Sequence, residues 1–306
     1  MPILKSLDQI HKNKPILIAG QTASGKSRLA IHIAETHGGT IINADAIQVY
    51  DNWRILTARP SIADETQINH KLYGHINGAV EYSVGNWIKE IKEVISSNSR
   101  PIIVGGTGLY FSALTNGLVD IPQISKTIRL EAQNRIAKIG FESLVGEIDE
   151  ETAQKIDINN PMRVQRAWEV LMSTGRGLRS WHNETPKPTL DLNMCKAILV
   201  DGEVSLINKR INKRFDQMIE KGLFQEAENN LATWNNLHPS SKAIGAQELI
   251  SYLKSEISID ELKEQILIAT RQYAKRQRTW FRSKMKSWER FTTVSYTHLR
   301  AHETFA

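Results

Sequence analysis

The hydrophobic residues in the first third of the chain lie in short runs that each end at glycine or aspartate. The runs are PILIAG, TIINAD and PIIVGG, and each is followed by a plausible helix start. Strands that alternate with helices predict a parallel β-sheet with helices on both faces. Because ligands of such sheets bind beyond the carboxyl ends of the strands, we expect the polar residues after these runs to converge on one site.

Helical spacing replaces this pattern over residues 123–183. One predicted helix there has an apolar stripe and a glycine, Gly175, that can end it. The stripe consists of Val164, Ala167, Trp168 and Leu171. After a proline-containing linker, MCKAILVD is predicted to be a strand that returns to the sheet. The chain therefore divides into a core of residues 1–122 and 184–290 and a helical insertion.

The last long helix is predicted to begin at Ser258, which can form a capping box with Glu261. Its apolar and basic residues fall on opposite faces at helical spacing. The apolar face has Leu262, Ile266, Ala269, Tyr273 and Trp280. The basic face has Arg271, Lys275, Arg278 and Arg282. The rest of the chain after the returning strand is also predicted to be helical, and we interpret residues 291–306 as a tail foreign to the natural protein.

Composition narrows the class of protein. The chain has 306 residues with 41% hydrophobic and 24% charged residues, which suits a globular protein with a proper core. Apolar runs are too short for a membrane span. The single cysteine, Cys195, excludes an internal disulfide and a cysteine-built zinc site, and no secretion signal is recognisable, so a cytoplasmic protein is expected. The net charge of +6 is a mild indication of a polyanionic partner.

The first predicted strand runs directly into GQTASGKS, which fits the phosphate-binding P-loop pattern of Gly, four residues, Gly-Lys-Ser. Backbone N–H groups of such a loop and the start of the next helix face one oxyanion. The predicted phosphate-binding residues are Gly20, Gln21, Thr22, Ala23, Ser24, Gly25, Lys26 and Ser27. The Ser27 hydroxyl can hold Mg²⁺. The expected fold is thus an α/β P-loop NTPase-like parallel sheet, flanked by helices, with an all-helical insertion domain.

Five segments together resemble the tRNA dimethylallyltransferase family. They are GQTASGKS, NADAIQVY, TARPS, VGGTGLY and ATRQYAKRQRTWFR, and they occur in order over most of the chain. The resemblance implies that the loop holds the diphosphate of dimethylallyl diphosphate rather than hydrolysing ATP. It also implies that the acceptor is N6 of the adenine immediately 3′ of the tRNA anticodon, with diphosphate as the leaving group.

Family roles carry over to four residues. Asp45 is the expected base that takes the proton from N6, although it could instead support the loop or Mg²⁺. Lys26 and Thr107 are expected at the diphosphate, and Thr107 also at the tRNA. Arg214 matches an arginine that clamps diphosphate, while Arg210, one turn away, could do the same.

The tRNA anticodon stem-loop is the expected partner, and its target base must be turned out of the loop. Phosphate contacts are expected from the basic face of the last helix. The resemblance adds Asp45, Ala46, Ile47, Gln48, Arg129, Met162, Arg163, Val164, Gln165 and Arg166. A monomer suffices, since all of these groups lie on one chain.

Four residues depart from the family pattern: Gln21 replaces a usual proline, Ala46 a usual serine, and Ala246 and Gln247 an aromatic and a basic residue. Gln21 is expected to be harmless in a loop, and tRNA contact at residues 243–247 is less expected. Three alternatives stay open: a prenyltransferase acting on free adenine nucleotide, a small-molecule P-loop kinase, and an RNA-binding module with a vestigial loop.

Overall fold

The computed structural model describes residues 14–97 and 100–292. Six strands form one parallel sheet in the order β3-β2-β4-β1-β5-β6. The strands are β1 (Ile16–Gly20), β2 (Thr40–Asn43), β3 (His70–Lys71), β4 (Pro101–Gly105), β5 (Lys196–Asp201) and β6 (Glu289–Thr292). Because the strands are parallel, all carboxyl ends lie on one edge, and β1 lies between β4 and β5. The predicted α/β parallel sheet is confirmed.

Thirteen helices are found in the described part of the chain. In chain order they are α1 (Lys26–His37), α2 (Ile62–Gln67), α3 (Val84–Ser97), α4 (Gly108–Asn116), α5 (Lys126–Ile139), α6 (Glu142–Val145), α7 (Glu150–Ala153), α8 (Pro161–Thr174), α9 (Leu178–His182), α10 (Val204–Glu220), α11 (Leu223–Leu231), α12 (Ala246–Leu253) and α13 (Ile259–Lys284). Two short 3₁₀ turns cover Leu192–Met194 and Pro239–Lys242.

The chain falls into two compact units, residues 1–115 with 189–306 and residues 116–188. The first unit, as far as described, holds the sheet and α1–α3, most of α4 and α10–α13. The second unit contains α5–α9 around a core that includes Val164 and Trp168. It begins before and ends after the predicted insertion of residues 123–183. Gly175 ends α8 in the left-handed conformation, as predicted.

The prediction that the chain after β5 is entirely helical is wrong. Phe291 and Thr292 belong to β6, which pairs with β5 in parallel, and Phe291 is only 6% exposed. These two residues of the predicted tail are therefore part of the folded sheet. Residues 293–306 lie outside the described residues.

Helix α13 begins with the predicted capping box between Ser258 and Glu261. Its buried face is rotated relative to the prediction. Leu262 and Ile266 are buried as expected, but the remaining buried residues are Leu267, Ala274, Gln277 and Phe281. Since the helix contacts α10, α12 and β1, its buried face is wide, and the basic face borders it instead of lying opposite.

Candidate active site at the carboxyl ends of the strands

The phosphate loop connects β1 to α1 and has the alternating backbone of an anion-binding nest. Ala23 has φ 57° and Gly25 has φ 91°, both in the left-handed region. Alternation of left-handed and ordinary residues turns successive N–H groups toward one concavity. Helix α1 starts at Lys26 and adds the positive end of its dipole. The loop geometry fits a bound phosphate group, as the sequence motif predicts.

Two cationic side chains, Lys26 and Arg214, lie at the phosphate loop and line a neighbouring cavity. Burial lowers the pKa of the Lys26 ammonium to about 8, with the Asp45 carboxylate acting in the opposite direction. Arg214 Nη1 donates to Thr22 Oγ1 at 3.3 Å, and burial lowers its pKa as well. Arg210 Nη1 instead donates to the carbonyl of Ser24 at 3.4 Å. Both arginines thus contact the loop, but Arg214 lines the cavity together with Lys26.

Asp45 follows β2 and is held by a rigid local network. The Asn43 side chain accepts from the Asp45 N–H at 2.9 Å and donates to the carbonyls of Asp45 and Leu72. Asp45 Oδ1 accepts from the N–H of Ile47 at 3.0 Å. The other carboxylate oxygen, Oδ2, lies 3.4 Å from where a Cβ on Gly106 would be. Asp45 therefore has one oxygen engaged and presents the other beside a glycine at the cavity.

Thr107 joins the ends of β4 and β2. Its hydroxyl accepts from the N–H of Ala46 at 2.9 Å, and its own N–H donates to the carbonyl of Ala44 at 3.2 Å. A Cβ on Gly105 would lie 2.0 Å from that carbonyl, so only glycine permits this approach. Gly108 permits a similar close approach of the Trp280 ring, because a Cβ on Gly108 would lie 2.3 Å from that ring. These glycines keep side chains away from the site.

Three tyrosines lie close enough to Asp45 for its charge to act on them. Burial raises the pKa of Tyr73, Tyr110 and Tyr273, and the Asp45 carboxylate raises each further. They are consequently neutral at physiological pH and contribute hydroxyl dipoles rather than charges. Tyr273 lies on the cavity wall, and the nearby Gln277 and Thr107 side chains act against the rise of its pKa.

Gln277 is a site residue that the sequence reasoning missed. It lies in the segment that carries the family resemblance, between basic residues, and only its 6% exposure sets it apart. Its Oε1 accepts from the Thr22 N–H at 2.8 Å, and its Nε2 donates to the carbonyl of Gly106 at 2.9 Å. The side chain thus connects the phosphate loop with the end of β4.

A cavity of about 350 Å³ opens at these residues. Its polar end, at the phosphate loop, contains Thr22, Lys26, Asp45 and Arg214. The rest of its lining is apolar in large part, with Ile211, Phe215, Met218, Ile244, Ile266 and Leu267, and also includes the polar or charged side chains Gln48, Thr57, Lys242, Thr270 and Arg276. Cations at the loop and hydrocarbon beside them fit a small anion with an apolar tail.

The predicted basic face of α13 lies beside this loop and strand edge. Arg278 Nη1 reaches Gln21 Oε1 at 3.5 Å, Arg282 lies 4.0 Å from Asp201, and Arg271 donates to Asn212 at 2.9 Å. Lys275 is exposed. Three of the four side chains therefore have contacts within the fold, and the face is partly engaged in the free protein.

In the second unit, Met162, Arg163 and Arg166 are exposed on the first turns of α8, and Gln165 donates to Glu169 at 2.7 Å. Arg129 lies near Arg166, and partial loss of solvent around the Arg166 guanidinium together with the Arg129 charge lowers the Arg166 pKa. Val164 is the exception among the predicted tRNA contacts, because its side chain is fully buried in the core of this unit and cannot reach an RNA.

The departures from the family pattern differ in their surroundings. Gln21 is a buried residue of the loop, since it is only 2% exposed, and its Nε2 has no hydrogen-bond partner. The expectation that this residue is harmless stays a prediction. Ala46 lies at the site, and Gln48 donates to the carbonyl of Thr57 at 2.8 Å. Ala246 is buried in the core, whereas Gln247 is exposed.

In the described part of the chain, no group of three or more His, Cys, Asp and Glu side chains could hold a metal ion. Within those same residues, no helix combines the length and the apolar character needed to cross a membrane.

Comparison with known proteins shows which family the chain resembles. Family models described as IPP transferase and Isopentenyl transferase match residues 48–284 and 14–81. The tRNA dimethylallyltransferase of Cereibacter sphaeroides strain KD131 is 50% identical over 94% of this chain and 91% of its own length. That of Ruegeria sp. strain TM1040 is 48% identical over 93% of this chain and 97% of its own.

Solved structures give the same result. The crystal structure of the full-length tRNA isopentenylpyrophosphate transferase from Bacillus halodurans is 30% identical, with a TM-score of 0.64 over 92% of this chain and 90% of that chain. A eukaryotic dimethylallyltransferase acting on tRNA has a TM-score of 0.74 at 27% identity, over 88% of this chain and 70% of that one. On sequence, fold and site together, the chain belongs to the tRNA dimethylallyltransferase family.

Proposed function

We propose that this protein transfers the dimethylallyl group of dimethylallyl diphosphate to N6 of the adenine immediately 3′ of the anticodon in tRNA. The observation that carries the proposal is the cavity, in which the phosphate loop with Lys26 and Arg214 lies beside apolar side chains and beside Asp45, the residue that follows β2. The products are N6-isopentenyladenosine in tRNA and diphosphate.

The polar end supports departure of diphosphate. As the C1–O bond of the donor breaks, negative charge grows on the leaving oxygen. The N–H groups of the loop, Lys26 and Arg214 provide fixed positive charge for it without reorganisation. Arg214 is the better candidate for the clamp than Arg210, because it lines the cavity beside Lys26.

The apolar wall supports a hydrocarbon group rather than a second phosphate or a sugar. Phe215, Met218 and Leu267 present no charge to the cavity and are largely buried themselves. A five-carbon allylic group gains by leaving water for such a surface.

Asp45 is the proposed base. The N6 nitrogen attacks C1, a C–N bond forms, the C1–O bond breaks, and one N6 proton moves to Asp45 Oδ2. The bond from the Ile47 N–H to Oδ1 fixes the carboxylate, so that Oδ2 stays directed to the site. A positioned base within hydrogen-bond reach is what a weakly basic exocyclic amine needs.

Mg²⁺ is the proposed cofactor. The residues fit it, because this ion keeps several waters and binds through one or two protein oxygens together with phosphate oxygens, and needs no cage of carboxylates. The Ser27 hydroxyl, in the first turn of α1, would supply one oxygen, and the bound ion would neutralise charge on the leaving diphosphate.

On the RNA side, we propose that the tRNA contacts residues 45–48, Thr107 and the basic face of α13 in the first unit. Arg129, Met162, Arg163, Gln165 and Arg166 are the proposed contacts of the second unit. All proposed chemical groups lie in one unit of one chain, so the protein is proposed to act as a monomer.

The test uses the protein, Mg²⁺ and dimethylallyl diphosphate labelled in the allyl group, with either unmodified tRNA or AMP as acceptor. Label is expected in tRNA and not in AMP. A tRNA in which guanine replaces the adenine 3′ of the anticodon serves as the control acceptor and should stay unlabelled.

Two results would contradict the proposal. Label in AMP alone would indicate a free-nucleotide prenyltransferase. Absence of transfer to either acceptor, together with ATP turnover on a small acceptor, would indicate a kinase.

A further inference from the structure

Gln277 combines three features that the proposed chemistry does not by itself require. It is buried on α13, far in sequence from both of its partners, and both of its amide atoms are engaged with backbone. The Thr22 N–H belongs to the phosphate loop after β1, and the Gly106 carbonyl belongs to the turn after β4. One side chain therefore ties two strand ends to each other.

The surroundings of Gln277 are built to fit it. A Cβ on Gly106 would lie 2.3 Å from Gln277 Nε2, so the glycine leaves the space that the amide fills. Thr22, on the other side, also accepts from Arg214 through its hydroxyl. Tyr273 lies close enough to Gln277 and Thr107 for both side chains to act against the rise of its pKa. The amide is thus bonded to the loop that holds the diphosphate and to Gly106, the residue before Thr107.

We infer that Gln277 is a positioning residue that sets the separation between the phosphate loop and the edge formed by Asp45 and Thr107. This inference rests on the proposed function, because the two sides then hold the donor carbon and the acceptor nitrogen. Both of its amide atoms are engaged with backbone, so the side chain acts through Thr22 and Gly106.

The separation matters because alkyl transfer needs the reacting atoms about 3–3.5 Å apart and in line. A misplacement of about 1 Å can lower a rate about 100-fold while each substrate still binds. Loss of the Gln277 bridge should therefore lower kcat far more than it changes KM for the donor or the affinity for tRNA.

Gln277→Met keeps the length of the side chain and removes both hydrogen bonds. We expect kcat to fall about 10- to 100-fold, with KM for dimethylallyl diphosphate and Kd for tRNA within about threefold of the unchanged protein. Gln272→Met is the matched control, since Gln272 is an exposed glutamine on the same helix and should keep its kcat. Thermal unfolding of both variants tests whether they fold.

Gln277→Glu provides a second measurement, the pH dependence of kcat, which a merely structural role of Gln277 would not change. When protonated, the introduced carboxyl can accept from Thr22 and donate to Gly106, as the amide does; when ionised, it can only accept. Burial raises the pKa of such a carboxyl. The ratio of its kcat to that of the unchanged protein should therefore be highest at acidic pH and fall as pH rises.

Three outcomes distinguish a failure of the Gln277 inference from a failure of the proposed function. If the unchanged protein labels tRNA and Gln277→Met has unchanged kcat, the inference is wrong while the proposed function stands. A rate ratio for Gln277→Glu that does not vary with pH also overturns the inference. Absence of transfer by the unchanged protein overturns the proposed function itself.

Discussion

The hydroxyl of Thr107 accepts a hydrogen bond of 2.9 Å from the backbone N–H of Ala46, the residue directly after Asp45. Two strand ends that are distant in sequence are thereby joined at the proposed base. The orientation of Asp45 thus depends on Thr107 as well as on its own turn.

Thr107→Val should consequently lower kcat by about 10- to 100-fold, because an isosteric side chain without an acceptor leaves the Ala46 N–H unpaired and frees the Asp45 turn. Thr107→Ser keeps the hydroxyl and should stay within about fivefold of the unchanged protein. Single-turnover transfer to tRNA measures both. Equal losses in the two variants would mean that the methyl group matters rather than the hydroxyl.

Asp45→Asn should lower the transfer rate by at least about 100-fold, because the amide keeps an oxygen for the Ile47 N–H but cannot take the N6 proton. Affinity for tRNA should change by no more than a few fold. Parallel transfer and tRNA-binding assays on the same preparation give both values. If tRNA binding is lost instead, Asp45 is a recognition residue and not the base.

We expect KM for dimethylallyl diphosphate to depend on pH through the charge of Lys26. Its pKa is lowered to about 8, so the ammonium is charged below that value and neutral above it. The attraction for diphosphate is then present at about pH 7 and lost as pH rises through the lowered pKa, and KM for the donor should rise steeply toward about pH 9.

Lys26→Arg gives the control for this titration, because guanidinium stays charged throughout the range. Its KM should be higher at neutral pH, owing to the changed shape, but should not rise between about pH 7 and 9. A donor KM in the unchanged protein that stays flat over this interval would contradict the proposed contact.

Arg278 borders the phosphate loop through Gln21 and belongs to the predicted basic face. Arg278→Ala should weaken tRNA binding and reduce the slope of log affinity against log salt by about one. Lys263→Ala is a matched control, since Lys263 lies on the same helix but is paired with Asp216 at 2.9 Å. An unchanged slope for Arg278→Ala would remove Arg278 from the phosphate contacts.

The strand-and-loop core could be predicted because its signals are local. A short β-branched run ending in glycine, followed by a loop with GKS, specifies a strand, a nest and a helix start within about a dozen residues, as at β1. Strands β2, β4 and β5 were predicted from similar short apolar runs. The capping box at Ser258 is equally local. Strands β3 and β6 were not predicted from the sequence because they are short edge strands, which are stabilised by pairing with a neighbouring strand rather than by their own residues.

The sequence by itself determined that Lys26, Asp45 and Thr107 meet, since parallel strands bring their carboxyl ends to one edge whatever packs around them. Only the tertiary structure decided which helical side chains join them. A helix that contacts several elements can be rotated by packing, and the rotation of α13 buries Gln277 against two strand ends and leaves the basic face beside the loop. In the same way, Arg214 and Arg210 are alike in sequence, one turn apart, and only the docking of α10 puts Arg214 in the cavity.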